Sequence, residues 1–185
     1  MDSFELAERH YLHEADRYGA LSQSVSLPLA LITGLITALI SMVSQIQSSR
    51  WAEVALVALC MGAALSLIIA IVNLIRASVR YRYAHPATIA AQLSWRDDFV
   101  SRGASRFKAE EELRQMMERE YAECAHVNAT NNDKKAGYLE DTRICIIVAV
   151  CLLGIAAVPY LIVKSEQQDA NVQHAVLNGR LEKPR

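Results

Sequence analysis

The stretch ICIIVAVCLLGIAAVPYLIV, residues 144–163, carries no charged side chain. As a helix, about 20 such residues rise roughly 30 Å, the thickness of a bilayer's hydrocarbon core. Working back along the chain, residues 54–75 and 18–49 are equally free of charge. Between the second and third of these stretches, residues 76–143 are strongly charged. This alternation predicts an all-α integral membrane protein. It has three transmembrane helices and a cytoplasmic helical domain between the second and third. The expected boundaries are an amphipathic cytoplasmic helix over 1–19, a transmembrane hairpin over 20–75, the helical domain over 76–143, the third span over 144–163 and a polar tail over 164–185. Within the hairpin the two spans cover about 24–46 and about 53–75.

Composition alone hides this pattern. The chain has 185 residues, 52% hydrophobic and 21% charged, with a formal net charge of −1. That balance is ordinary for a globular protein, and it offers no general attraction to polyanions. Once the apolar stretches are set aside, no remaining segment is long enough for a large core of its own. The polar part is therefore expected to be helical and shared between subunits. Residues 1–17 carry five acids and two arginines and no apolar run, so no secretory signal peptide is expected.

Orientation follows from basic residues near the span ends. The short loop over 47–53 has only Arg50, whereas the central span opens with Arg76, Arg80 and Arg82 and closes with Lys134, Lys135 and Arg143. The central domain and the N-terminus are thus expected in the cytoplasm, and the tail outside.

Local patterning refines the elements. Phe4, Ala7, Tyr11, Ala15 and Tyr18 recur at helical spacing over 3–18. Pro28 suits the first turn of the first span. A Ser/Gln-rich turn is expected over 45–50, with Trp51 at the interface. The second helix is expected to run from about residue 52 toward Tyr83, with His85-Pro86 as its break. A short helix follows over 87–100, punctuated by Gly103. A long helix begins at Ser105, with Phe107, Leu113, Met117, Tyr121 and Cys124 on one stripe. The run Asn128–Asn132 has poor helix propensity. It predicts a chain-reversing turn, with a weak point in one continuous stalk as the alternative. Pro159 is expected to kink or end the third span. The tail, with Asn178-Gly179, is expected to be poorly ordered.

Candidate functional residues form three groups. Ser22, Ser26, Thr33, Thr37, Ser41 and Ser44 fall within roughly a third of a helix circumference. Such a hydroxyl stripe either lines a polar path, chiefly at Thr33, Thr37, Ser41 and Ser44, or eases helix packing. On the second span, Ala55, Gly62, Ser66, Ala70 and Asn73 share a small-residue face, which reads as packing. The basic residues Arg76, Arg80 and Arg82, and then Arg96, Arg102, Arg106 and Lys108, could hold a phosphate-bearing ligand through arginine forks. The competing readings are lipid headgroups for the first set and pairing with Asp97, Asp98 and Glu110–Glu112 for the second.

No Asp, Glu, Lys, Arg or His lies within the stretches 18–49, 54–75 and 144–163, which argues against coupled transport and leaves a passive pore open. There is no P-loop, GxSxG, HExxH or CxxC motif, so no enzyme and no cofactor is expected. Cys60, Cys124, Cys145 and Cys151 have neither zinc nor disulfide spacing and read as packing residues. His10 and His13, three apart, are a weak metal pair with no further ligand near them in sequence.

The N-terminal helix ending Arg17-Tyr18-Gly19-Ala20, the tight membrane hairpin and the charged helix resemble the SLATT-like membrane effectors. These are small bacterial proteins found with nucleotide-signalling and other anti-phage systems. The resemblance is architectural and covers roughly residues 5–125. The third span departs from the two-helix plan and is similar to effectors of the Hailong type. It implies a homo-oligomer, with a tetramer among its sizes, in the lipid of the bacterial inner membrane. It further implies an ion channel controlled by an oligonucleotide from a nucleotidyltransferase partner. It carries over no residue role. A second class of function is a membrane scaffold that recruits a cytoplasmic partner through the helix over 104–127, with Phe107, Met117 and Tyr121 as docking face.

Overall fold

The computed structural model describes residues 2–44, 51–79 and 81–181. The expected turn over 45–50 and Arg80 lie outside them. Five helices follow in order: α1 (Ser3–Gln23), α2 (Ser26–Val43), α3 (Trp51–Ser78), α4 (Ile89–Ser101) and α5 (Arg106–Leu181). No strand occurs among the described residues. The stretches Ser3–Val43, Glu53–Ser78 and Arg106–Ser165 each contain a helix long and apolar enough to cross a membrane. The chain divides into two compact units. One comprises Met1–Val25 and Ile75–Leu139, the other Ser26–Leu74 and Glu140–Arg185.

The apolar unit is built on an antiparallel seam of α3 and α5. Leu56, Cys60, Ala63, Leu67, Ala70 and Leu74 are buried along α3. Thr142, Ile146, Ala149, Leu153 and Ala156 are buried along α5. Both sets alternate steps of four and three residues, the spacing of knobs-into-holes packing. Between apolar helices in lipid, close approach and hydrogen bonds replace the hydrophobic drive. Accordingly Ser66 Oγ donates to the Cys145 carbonyl at 2.8 Å, and a Cβ on Gly62 would stand 3.3 Å from Leu152 Cδ1. Leu39 and Met42 of α2 pack against the cluster of Leu56, Cys60 and Ala156. Outside this seam Met61, Leu65, Ile68, Ile147, Val158 and Leu161 are all exposed. A surface this apolar suits lipid rather than water.

Of the two outcomes expected at Pro159, an end to the third span does not occur. The helix passes through Pro159, which is buried, and neither ends nor changes type there. Neighbouring helices make proline tolerable within membrane helices. Beyond Pro159, α5 continues to Leu181. Extending an existing helix needs no new nucleus, and Glu, Gln, Ala and Leu favour it.

The polar unit has another logic. α3 stops at Ser78, short of the expected Tyr83, and residues 81–88 form no regular element. Thr88 then caps α4, its side chain accepting from the Ala91 N–H at 3.4 Å. α4 closes with Ala104 N donating to Phe99 O and Gly103 N to Val100 O. This is a Schellman turn, and Gly103 takes the left-handed φ of 89° that it needs. Ser105 starts α5, its Oγ accepting from the Lys108 N–H at 3.3 Å.

The run Asn128–Asn132 is not a turn; it lies inside α5. The favoured reading is overturned because these side chains have tertiary partners that outweigh local propensity. α1 runs parallel to this part of α5. Ser3 donates to Glu118 at 2.9 Å, and Arg17 pairs with Asp133 at 2.7 Å; Asp2 also pairs with Arg114. Tyr121 meets Phe4 and Tyr11 at ring-centroid separations of 5.7 Å and 5.6 Å.

Candidate functional site

The feature the sequence reading missed is a ladder of asparagines on α5. Residues 82–87 have no sheet or helix to satisfy their peptide groups, which must still be paired where buried. Asn128 does this as a second peptide would. Its Oδ1 accepts from Ala84 N at 2.9 Å, and its Nδ2 donates to Ala84 O at 3.0 Å. Asn131 Nδ2 donates to Arg82 O at 2.9 Å, and Glu120 Oε1 accepts from Ala87 N at 2.9 Å. Asn132 joins three segments. Its Oδ1 accepts from Tyr83 Oη at 2.7 Å, while its Nδ2 donates to the carbonyl and carboxylate of Glu14, both at 2.8 Å. Asn128 and Asn132 are 2% and 0% exposed, so their bonds are sheltered from bulk water, whereas the Asn131 bond is exposed.

One turn further on, Lys135 is 5% exposed. Its Nζ donates to Ser22 Oγ at 2.8 Å and lies 4.7 Å from the centre of the Tyr18 ring. Burial lowers its pKa below the ordinary lysine value. Tyr18 in turn meets Tyr83 at 4.1 Å, and burial raises the Tyr83 pKa, with the neighbouring Tyr18 phenol adding to it. The only sequence signal for this centre was the cluster of asparagines itself. Their partners lie far away in the chain.

The hydroxyl stripe divides. Ser22 belongs to α1 and is committed to Lys135. Thr33, Thr37 and Ser41 on α2, and Ser44 just past its end, are all exposed. Thr33 Oγ1 donates to Leu29 O at 2.9 Å, Thr37 Oγ1 to Thr33 O at 3.0 Å, and Ser44 Oγ to Ser41 O at 2.8 Å. Each of these three donor protons is therefore satisfied within its own helix, and oxygen lone pairs remain to accept a bond. Gly34, on the same helix, has nothing within 4 Å of a would-be Cβ. By contrast, the small-residue face of α3, read from the sequence as a packing face, packs within the chain. Ser66 is 8% and Ala70 0% exposed in the seam with α5.

Among the described residues, the basic side chains singled out from the sequence do not all converge on one site. Arg76, Arg82, Arg106 and Lys108 are exposed, and Arg76 lies 6.0 Å from the Tyr138 ring centre. α3 ends at Ser78, so Tyr83 lies beyond the helix that carries Arg76. Arg96 pairs with Asp97 at 3.1 Å and Arg102 with Asp98 at 2.6 Å. A cavity of about 320 Å³ places Arg96 and Arg106 beside Asp97 and Glu110. The acid pairing weighed for the second set is thus present for Arg96 and Arg102. Exposed pairs of this kind contribute about 0–1 kcal/mol, so a phosphate could displace them.

The docking stripe of the scaffold reading is largely used internally. Met117 is 4% exposed and Tyr121 stacks on α1, whereas Phe107 stays 82% exposed. Among the described residues all four cysteines are free thiols, and no group of three or more His, Cys, Asp or Glu is placed to hold a metal.

Compared with known family models, curated proteins and solved structures, the chain matches none.

Proposed function

We propose that this chain is the membrane subunit of a homo-oligomeric passive channel, with the hydroxyl face of α2 lining the path. One observation carries the reading. Thr33, Thr37, Ser41 and Ser44 are exposed, while the small-residue face of α3 is taken up by α5. Within an assembly, the polar stripe left exposed is the face that can meet other copies or water. Hydroxyl-lined, charge-free constrictions conduct by wetting rather than by ion coupling. The basic residues around α3 and α5 favour a cytoplasmic position for the polar unit. On the architectural resemblance, the setting is the bacterial inner membrane in anti-phage defence. A nucleotide or oligonucleotide then controls opening at Arg76, Arg82, Arg102, Arg106 and Lys108, and it acts only through a difference in affinity between closed and open states.

The test is ion flux from liposomes holding the full chain, with and without oligonucleotides. Wild type is expected to conduct in one of the two conditions. The double variant Thr33→Leu/Thr37→Leu should lower flux at least about tenfold, because leucine makes the constriction dewet. Arg102→Glu with Arg106→Glu should abolish the oligonucleotide response and its salt dependence. Absence of flux in every condition, or flux indifferent to the threonine changes, refutes the channel. An unaltered response in the arginine variant refutes the ligand site.

A further inference from the structure

α4 and residues 112–123 of α5 form an open groove, a cavity of about 430 Å³ whose walls are of two kinds. Trp95 and Phe99, one helical turn apart on α4, face it with Met116 of α5. Glu112, Glu120 and Glu123 of α5 complete it together with Gln115 and with Arg119, the single cation among them. The aromatic pair is half-buried, fixed between the Thr88 cap and the Gly103 turn.

Glu120 sets the character of this cavity. Its Oε1 holds Ala87 N at 2.9 Å, while its Oε2 is shut off from water with no hydrogen-bond partner. A carboxylate removed from water is poorly screened, so its attraction for a cation nearby is stronger than at the surface. Indole and benzene faces attract cations as well, Trp most of all. A thioether adapts to an irregular apolar body. The volume lies in the range of small-molecule sites. An inorganic cation would gain little from two aromatic rings and a methionine, and an anion would meet three carboxylates. The chemistry that uses every wall is an alkyl chain ending in ammonium.

We propose that this cavity binds a small aliphatic amine, a diamine or polyamine. Its ammonium groups face the carboxylates, and its methylenes lie on Trp95, Phe99 and Met116. The site is separate from the arginines of the proposed nucleotide response and does not depend on that reading.

Trp51 and Trp95 are the two tryptophans of the chain. A full-length Trp51→Phe variant in detergent therefore leaves Trp95 as the only indole reporter. Titration with 1,4-diaminobutane is expected to shift its emission saturably, whereas 1,4-butanediol of the same length gives no shift. Glu120→Gln keeps an acceptor for Ala87 N and should raise the midpoint at least about tenfold, through loss of one poorly screened charge beside the site. Phe99→Leu should also weaken binding without touching any charge. Circular dichroism checks that both variants remain helical, and either variant alone is decisive if the other does not fold. The proposal is overturned by the absence of a saturable shift up to about 10 mM amine. It is equally overturned if magnesium at matched ionic strength reproduces the shift, or if both variants bind like the parent.

Discussion

Asn128→Leu is expected to lower the stability of the polar unit by about 2–4 kcal/mol, through loss of two hydrogen bonds whose partners stay part-buried. Leucine has the branching and heavy-atom count of asparagine but is larger, so none of the loss comes from a cavity and overpacking adds to it. The Ala84 N–H and carbonyl, now 2.9 Å and 3.0 Å from the Asn128 amide, would face an apolar side chain. Two measurements check this. Denaturant unfolding followed by circular dichroism gives the size of the loss. Amide hydrogen exchange reads the cause, because protection at Ala84 should fall while the α3–α5 seam in the apolar unit keeps its own. Asn128→Asp should be intermediate in exchange at Ala84, since it retains the acceptor and loses the donor. Unaltered protection at Ala84 in the leucine variant would show that the ladder does not hold this segment.

Lys135→Glu is expected to cost more, about 3–5 kcal/mol, by burying a charge without a counter-charge. The carboxylate would replace an ammonium 4.7 Å from the Tyr18 ring centre and 2.8 Å from Ser22 Oγ. The face of the ring repels an anion, and only the Ser22 hydroxyl remains as donor from that pair. Lys135→Met separates charge from packing, because it keeps the apolar stem and removes the ammonium. The sign of the pH effect follows from the lowered lysine pKa. Between that lowered value and the ordinary lysine value near 10.4, the unfolded chain holds more protons than the folded one. Wild-type stability should therefore rise with pH across this window. The Lys135→Met variant should lack that part of the slope. Burial raises the pKa values of Tyr83 and Tyr121, which act in the opposite sense above about pH 10. They are common to both proteins and cancel in the difference. Unfolding midpoints at several alkaline pH values for the two proteins measure it. A difference that does not change with pH would mean that Lys135 titrates as an ordinary surface lysine.

These two residues also mark how far a linear reading of the chain reaches. The helix starts at Ser3, Ile89 and Arg106 follow from spacing, the Thr88 and Ser105 caps and the Gly103 turn, all local signals. The break after α3 was anticipated at His85-Pro86 but falls at Ser78, because residues 82–87 are drawn out along α5 by side chains that no local rule identifies. The hydroxyl stripe was visible as a pattern on α2. That it lies exposed, while the small-residue face of α3 is consumed by α5, depends on which helices pack together. The basic residues were visible as clusters, whereas the pairing of Arg96 with Asp97 and of Arg102 with Asp98 depended on side-chain placement.

By itself, the sequence determined that three helices are apolar and long enough to cross a membrane and that a charged helical segment separates the second from the third. Both are properties of local composition, readable in a window no longer than one bilayer thickness. Only the tertiary structure decided what the polar residues inside α5 do. The pattern Asn128–Asn132 suits a turn as well as a buried ladder, and the choice depends on partners at Ala84 and Glu14, 44 and 118 residues away. Burial without water makes those bonds strong enough to outweigh the poor helix propensity of asparagine, and that energy has no counterpart in the local sequence.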